Sequence, residues 1–173
     1  MAELDNIEVS IKVPFIGEIK GTWKPDEKER DAAWEMYVEL VTRISIVELK
    51  PDEGILREAL SSLYSIFGTT RDILRKYGPT IAQPKAESDI CFGFLAVAIL
   101  NTVLRPVLAK WHPILLDYEN RRDPSISILE HERKWDKQEE LRKVLNDVRN
   151  TLIDYAEYLA KVSKVKPLFN EKP

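Results

Sequence analysis

The chain has 173 residues, 44% of them hydrophobic and 32% charged, with a formal net charge of −3. That is enough to bury a sizeable core, so residues 1–173 read as a single domain. Balanced charge with no lysine and arginine cluster excludes a strong nucleic-acid footprint. The lone cysteine, Cys91, excludes an internal disulfide framework and fits a reducing cytoplasm.

Residues 7–13 alternate, with Ile7, Val9, Ile11 and Val13 on one face and Glu8, Ser10 and Lys12 on the other. Period two predicts a half-buried strand. Pro14-Phe15-Ile16-Gly17 turns the chain, and a second strand runs to Trp23 with Ile19, Gly21 and Trp23 inward. A hairpin over 7–23 is not stable alone, so it must lie on helices or pair with another chain.

A first helix is expected from an Asp26 cap, with Glu27 and Glu29 in its first turn. Its apolar stripe is Ala33, Trp34, Tyr37, Leu40, Val41, Ile44 and Val47, and it ends at Lys50-Pro51. A second helix, capped by Asp52, carries Leu56, Ala59, Leu60, Leu63, Ile66, Phe67, Ile73, Leu74 and Tyr77. Gly68-Thr69-Thr70 marks a place for a bend, and Gly78-Pro79 a stop. Residues 79–87 are a loop.

The third helix is expected from Ser88 or Asp89, through an apolar run from Ile90 to Leu104, to the break at Asp123-Pro124. That run is shorter than the roughly 20 residues a membrane span needs, and a buried helix explains it better. Pro106 and Pro113 each remove a hydrogen bond and bend the helix in a similar direction. The fourth helix opens with Ser127-x-x-Glu130 as a capping box. Leu141, Leu145, Val148, Leu152, Tyr155, Leu159 and Val162 continue it with heptad spacing, a seam for a bundle interior or a second subunit. Residues 167–173 form a tail, and the N-terminus Met1-Ala2-Glu3-Leu4-Asp5 has no apolar signal core.

The expected fold is all-α: a four-helix up-down bundle over 26–166, with two long C-terminal helices and a small N-terminal β-hairpin. Each long helix has about 35 residues and a length of about 50 Å. Folding that pair about Pro124 places Glu119 beside Glu130 and His131, and His112 beside Trp135, Asp136 and Glu139. Asn101, Arg105, His112 and Glu119 share a helix face at four- and seven-residue spacing. The candidate ligand- or partner-binding set is therefore Asn101, Arg105, Trp111, His112, Glu119, His131 and Trp135. Trp23, Trp111 and Trp135 offer anchors if open and core side chains if not.

Spacing argues against several chemistries. Neither Glu-x-x-His repeats nor a His-x-x-x-His pair is present, so no metal site and no cofactor are expected. Cys91 lies about 30 Å from His112 along one helix, too far for a Cys–His nucleophile, and reads as a small core residue. Arg105 followed after six residues by His112 resembles the Arg-x(4–6)-His motif of HEPN domains, all-α proteins many of which are metal-independent ribonucleases. The resemblance implies that His112 handles protons and Arg105 holds the scissile phosphate across a dimer interface. No complete catalytic constellation accompanies it. The favoured reading is a non-enzymatic interaction or ligand-sensing module, a regulatory or adaptor component in the cytoplasm, off the membrane. It would meet a protein partner or small-molecule ligand and form a homodimer through the hairpin edge or the long helix pair.

Overall fold

A computed structural model of the chain describes residues 5–14, 16–43, 48–87 and 89–168. β1 (Ile7–Val13) and β2 (Gly17–Trp23) pair antiparallel in the register Ile7 to Trp23 and Val13 to Gly17. Val9, Ile11, Val13 and Trp23 are buried on one face, as their alternation requires. Phe15, in the turn, lies outside the described residues.

The hairpin is not isolated. β3 (Asp89–Ile90) pairs parallel to β2, with Thr22 opposite Asp89 and Trp23 opposite Ile90, to give a mixed sheet in the order β1-β2-β3. The Lys24 ammonium holds the Asp89 carboxylate at 3.2 Å across that junction. Residue 89 is thus strand, not the start of a helix, and Ser88 lies outside the described residues.

Five helices follow from the described residues: α1 (Glu27–Val41), α2 (Leu56–Tyr77), α3 (Phe92–Glu119), α4 (Ile128–Arg133) and α5 (Gln138–Val162). With the three-stranded sheet they make a mixed α and β fold, not an all-α four-helix up-down bundle. Two departures explain the difference. The helix that opens at Ser127 stops at Arg133, because burial of Trp135 against Trp111 and Tyr118 draws the chain inward before α5 begins. α5 then packs mainly on α1 and β1 instead of continuing along α3.

α1 is also shorter than its apolar pattern predicts. Thr42 takes the C-cap with its hydroxyl on the Val38 carbonyl at 2.7 Å, and Arg43 reaches the Ser62 carbonyl and the Thr69 hydroxyl of α2. Ile44 and Val47 lie outside the described residues. Trp34, counted on the buried stripe, is 41% exposed, and Ala32 and Met36 are buried in its place. At the other end Asp26 and Glu29 form a full capping box.

α2 does not use Asp52 as its cap. Asp52 and Gly54 both take positive φ in a turn, and Ile55 stands at the N-cap without a side-chain bond. The cap comes instead from Glu132, whose Oε2 accepts the Leu56 N–H at 3.0 Å. α2 runs unbroken through Gly68-Thr69-Thr70 and stops at Gly78, with φ of +76°. Pro79–Ala82 then makes one 3-10 turn. Ala82 lies so close to Gly93 that a Cβ there would come within 2.6 Å of the Ala82 Cβ.

α3 is continuous through both prolines. Ile99–Leu104 is a π-helical segment, with the Arg105 N–H on the Leu100 carbonyl. The wider turn absorbs the missing Pro106 N–H and the crowding of its ring against the preceding turn. α3 is long and apolar enough to cross a membrane by length and composition alone, a test that the core helix of a soluble protein also passes, and half of the qualifying stretch is buried within the fold.

The whole heptad seam of α5, from Leu141 to Val162, is buried inside the chain. The outer edge of β1 is likewise occupied. The Tyr158 hydroxyl donates to the Ser10 carbonyl at 3.2 Å and accepts the Ser10 N–H at 3.0 Å, and the Thr151 hydroxyl donates to the Lys12 carbonyl. Side chains thus take the ladder positions that an incoming strand would use.

Candidate functional site

The two histidines sit at the end of the molecule where α2, α3 and α4 meet, in two separate constellations. In the first, Arg57 of α2 donates from Nε and Nη2 to the Glu119 carboxylate at 3.0–3.2 Å. Its Nη1 donates to Nδ1 of His112 and its Nη2 to the His112 carbonyl at 3.4 Å. An arginine N–H cannot accept, so Nδ1 is the acceptor and the imidazole is neutral with its proton on Nε2. Burial lowers the His112 pKa and the Arg57 cation lowers it further, while Glu119 acts in the opposite sense. The Tyr64 ring meets the imidazole edge-on at 6.1 Å.

In the second constellation His131 stacks on Tyr118 at 4.0 Å, and Tyr118 stacks on Trp135 at 5.4 Å. Trp135 meets Trp111 edge-to-face at 6.1 Å. His131 Nε2 donates to the Tyr118 carbonyl at 2.8 Å, and the Tyr118 hydroxyl donates to the His131 carbonyl at 2.6 Å. This four-ring stack ties α4 to α3. Trp111 and Trp135 are 1% and 6% exposed. Both are core side chains and offer nothing to a partner, and Trp23 is as deeply buried.

Folding the chain about Pro124 thus predicts the neighbours within one residue but on the adjacent face. Tyr118, not Glu119, meets His131, and Trp111, not His112, meets Trp135. Glu119 and His112 turn toward α2, which the hairpin argument leaves out. Arg57 and Tyr118 are the residues that sequence reasoning misses, and Glu132, reachable from the sequence only as a carboxylate near His131, serves as a helix cap instead. Only Tyr118, next to Glu119, left a local trace.

Asn101 and Arg105 stand apart, on the exposed side of the π segment. Arg105 Nε donates to Asn101 Oδ1 at 3.0 Å, and its guanidinium lies 5.3 Å from the Phe67 ring centroid. Phe67 contacts Tyr64, so Arg105, Phe67, Tyr64 and His112 line up along the α2–α3 face. Arg105 and His112 are held by different partners at its two ends. Cys91 is buried at the N-cap of α3, where burial pushes its thiol pKa up. Among the described residues no three His, Cys, Asp or Glu side chains converge to hold a metal ion.

Of the open features among the described residues, two adjoin these groups. One is a cavity of about 380 Å³ lined by Ile55, Arg57, Glu58, Leu115, Tyr118, Glu119, Arg122, Ile128, His131 and Glu132. The other is the outer face of α3, where Phe94 is 57%, Val97 39% and Leu116 52% exposed, with Tyr64 of α2 64% exposed. No family model, curated protein or solved structure matches the chain.

Proposed function

We propose that the chain is a non-enzymatic helical interaction module that docks a partner protein on the outer face of α2 and α3. The observation that carries this reading is the incomplete burial of α3. It leaves Phe94 and Val97 open on the stripe that continues through Asn101 and Arg105, and Tyr64 and Phe67 adjoin that stripe. An apolar patch rimmed by polar groups is the usual mark of a docking surface, and tyrosine and arginine are its usual anchors. The π segment beneath Asn101 and Arg105 fits the same reading, since such segments concentrate at functional sites.

Charge narrows the partner. Arg105 has no carboxylate within ion-pair distance among the described residues, and neither has Arg71, four residues beyond Phe67 on α2. The face therefore suits an acidic amphipathic segment, and the module would act as a regulatory or adaptor component in the cytoplasm. A second copy is the competing occupant, because the β1 edge and the α5 seam are filled from within the chain.

Photo-crosslinking tests the face. A benzoylphenylalanine at position 94 or 64 should capture a partner chain in cells, and Glu at position 105 should suppress the capture. The same probe at Trp34, also exposed, should not. Equal capture from all three positions refutes the docking face. A concentration-dependent mass in light scattering that Phe94→Asp abolishes assigns the face to a homodimer. RNA cleavage in EDTA that His112→Ala stops would replace the reading with the ribonuclease one.

A further inference from the structure

The cavity between α2, α3 and α4 is separate from the docking face and carries its own chemistry. At about 380 Å³ it falls within the size range of small-molecule sites. Ile55, Leu115 and Ile128 give it apolar walls. Arg57 and Glu119 neutralise each other within it. The other two carboxylates of the lining, Glu58 and Glu132, have no cation within ion-pair distance among the described residues. Arg122 spends Nη1 on the Ile126 carbonyl.

Glu132 is the informative group. It is 3% exposed, and its Oε2 accepts the Leu56 N–H at 3.0 Å. Its Oε1 is sealed from solvent and has no hydrogen-bond partner among the described residues. Buried acceptors are almost always paired, so an unpaired one on a residue of the cavity lining calls for a donor that the described residues do not supply. Burial raises the pKa of this carboxyl, the Leu56 N–H and the Arg142 cation hold the rise back, and the smaller effects of Glu119 and Glu58 add to it. An incoming cation would relieve that unfavourable field.

We propose that this cavity binds a small organic cation, a primary ammonium on an apolar body. The ammonium donates to Glu132 and Glu58, and the body lies against Ile55, Leu115 and Ile128. Two carboxylates without a cation, against one arginine, favour a cationic ligand over an anionic one. An ammonium brings three donors, enough for both carboxylates. Because Glu132 also holds the first N–H of α2, occupancy stiffens that helix end.

The test uses the full chain with phenethylamine, phenylacetate and phenylethanol as probes, read by titration calorimetry and amide exchange. Phenethylamine is expected to bind at least tenfold more tightly than either isostere and to slow exchange in the first turn of α2. Glu132→Gln keeps a carbonyl oxygen for the Leu56 N–H, so the fold should persist while amine affinity falls about tenfold or more. Should that variant unfold, Ile128→Trp fills the cavity from a position that is 49% exposed and should abolish binding with the core untouched. Absence of saturable amine binding, equal affinity for phenylacetate, or wild-type affinity in the variant that folds would overturn the proposal.

Discussion

Replacing Glu29 by alanine is the sharpest perturbation this fold offers. Glu29 is 2% exposed, and its carboxylate joins three elements. Oε1 accepts from the Trp23 indole N–H and the Phe92 N–H, each at 2.9 Å, and Oε2 accepts the Asp26 N–H at 3.1 Å. Alanine leaves the Trp23 and Phe92 donors buried and unpaired, at about 1–3 kcal/mol each. Asp26 can turn to water. Allowing for incomplete additivity, the loss is about 3–5 kcal/mol, which at about 2–4 °C per kcal/mol for a chain of this size lowers the melting temperature by roughly 10 °C. Glu29→Gln keeps Oε1 as an acceptor for both buried donors and turns its NH2 toward the Asp26 N–H, so about 1–2 kcal/mol is expected. Urea unfolding at pH 7, followed by tryptophan fluorescence and circular dichroism, measures both variants. If alanine costs under about 1 kcal/mol, or glutamine as much as alanine, the account of Glu29 as a shared acceptor is wrong.

Trp111→Ala should cost about 3–5 kcal/mol, because it empties a core position against Trp135, whereas Asn101→Ala and Arg105→Ala should stay within about 0.5 kcal/mol. Thermal melts of the three separate the core residue from the face residues, and equal losses would refute the division. The pH response follows from two shifts of opposite sign. His112 has a lowered folded pKa, so the unfolded chain takes up its proton first and stability falls as pH drops below about 6.5. Glu132 has a raised folded pKa, so its penalty is present at neutral pH and is relieved as pH falls through that value. His112→Gln should therefore flatten the loss of stability on acidification and Glu132→Gln should steepen it, read as urea midpoints from about pH 7 to 5.

The sequence carried the features whose cause is local. Strict alternation gave β1, Asp26 with Glu29 gave the start of α1, Gly78-Pro79 gave the end of α2, and Ser127 gave the start of α4. What escaped it has causes distant in the chain. β3 is two residues long and exists only because β2 lies alongside, so no period could reveal it. The apolar pattern past Val41 could not show that Thr42 and Arg43 would close α1 and turn to its own end and to α2. Of the candidate site residues, the helical phase separated His112 from Trp111 by one position, and that step moved one into the core and the other toward Arg57. A face shared with α2 was legible only once α2 had a place.

The two buried glutamates explain why α2 and α3 hold a fixed register although neither helix caps itself. Ile55 and Cys91, at the two N-caps, offer no side-chain bond. Glu132 supplies the missing acceptor to Leu56, and Glu29 supplies it to Phe92, from elements 76 and 63 residues away along the chain. A helix start is electropositive, so a buried carboxylate there gains from the dipole as well as from the hydrogen bond. Each cap needs the distant element in place, so the geometry of α2 and α3 depends on tertiary packing as well as on their own sequence. One of these caps also borders the cavity. A ligand that engages Glu132 therefore acts on the first turn of α2, and through Arg57 on Glu119 and on His112, whose ring meets Tyr64. That chain of contacts is the physical route by which occupancy of the cavity and docking on the α2–α3 face would influence each other.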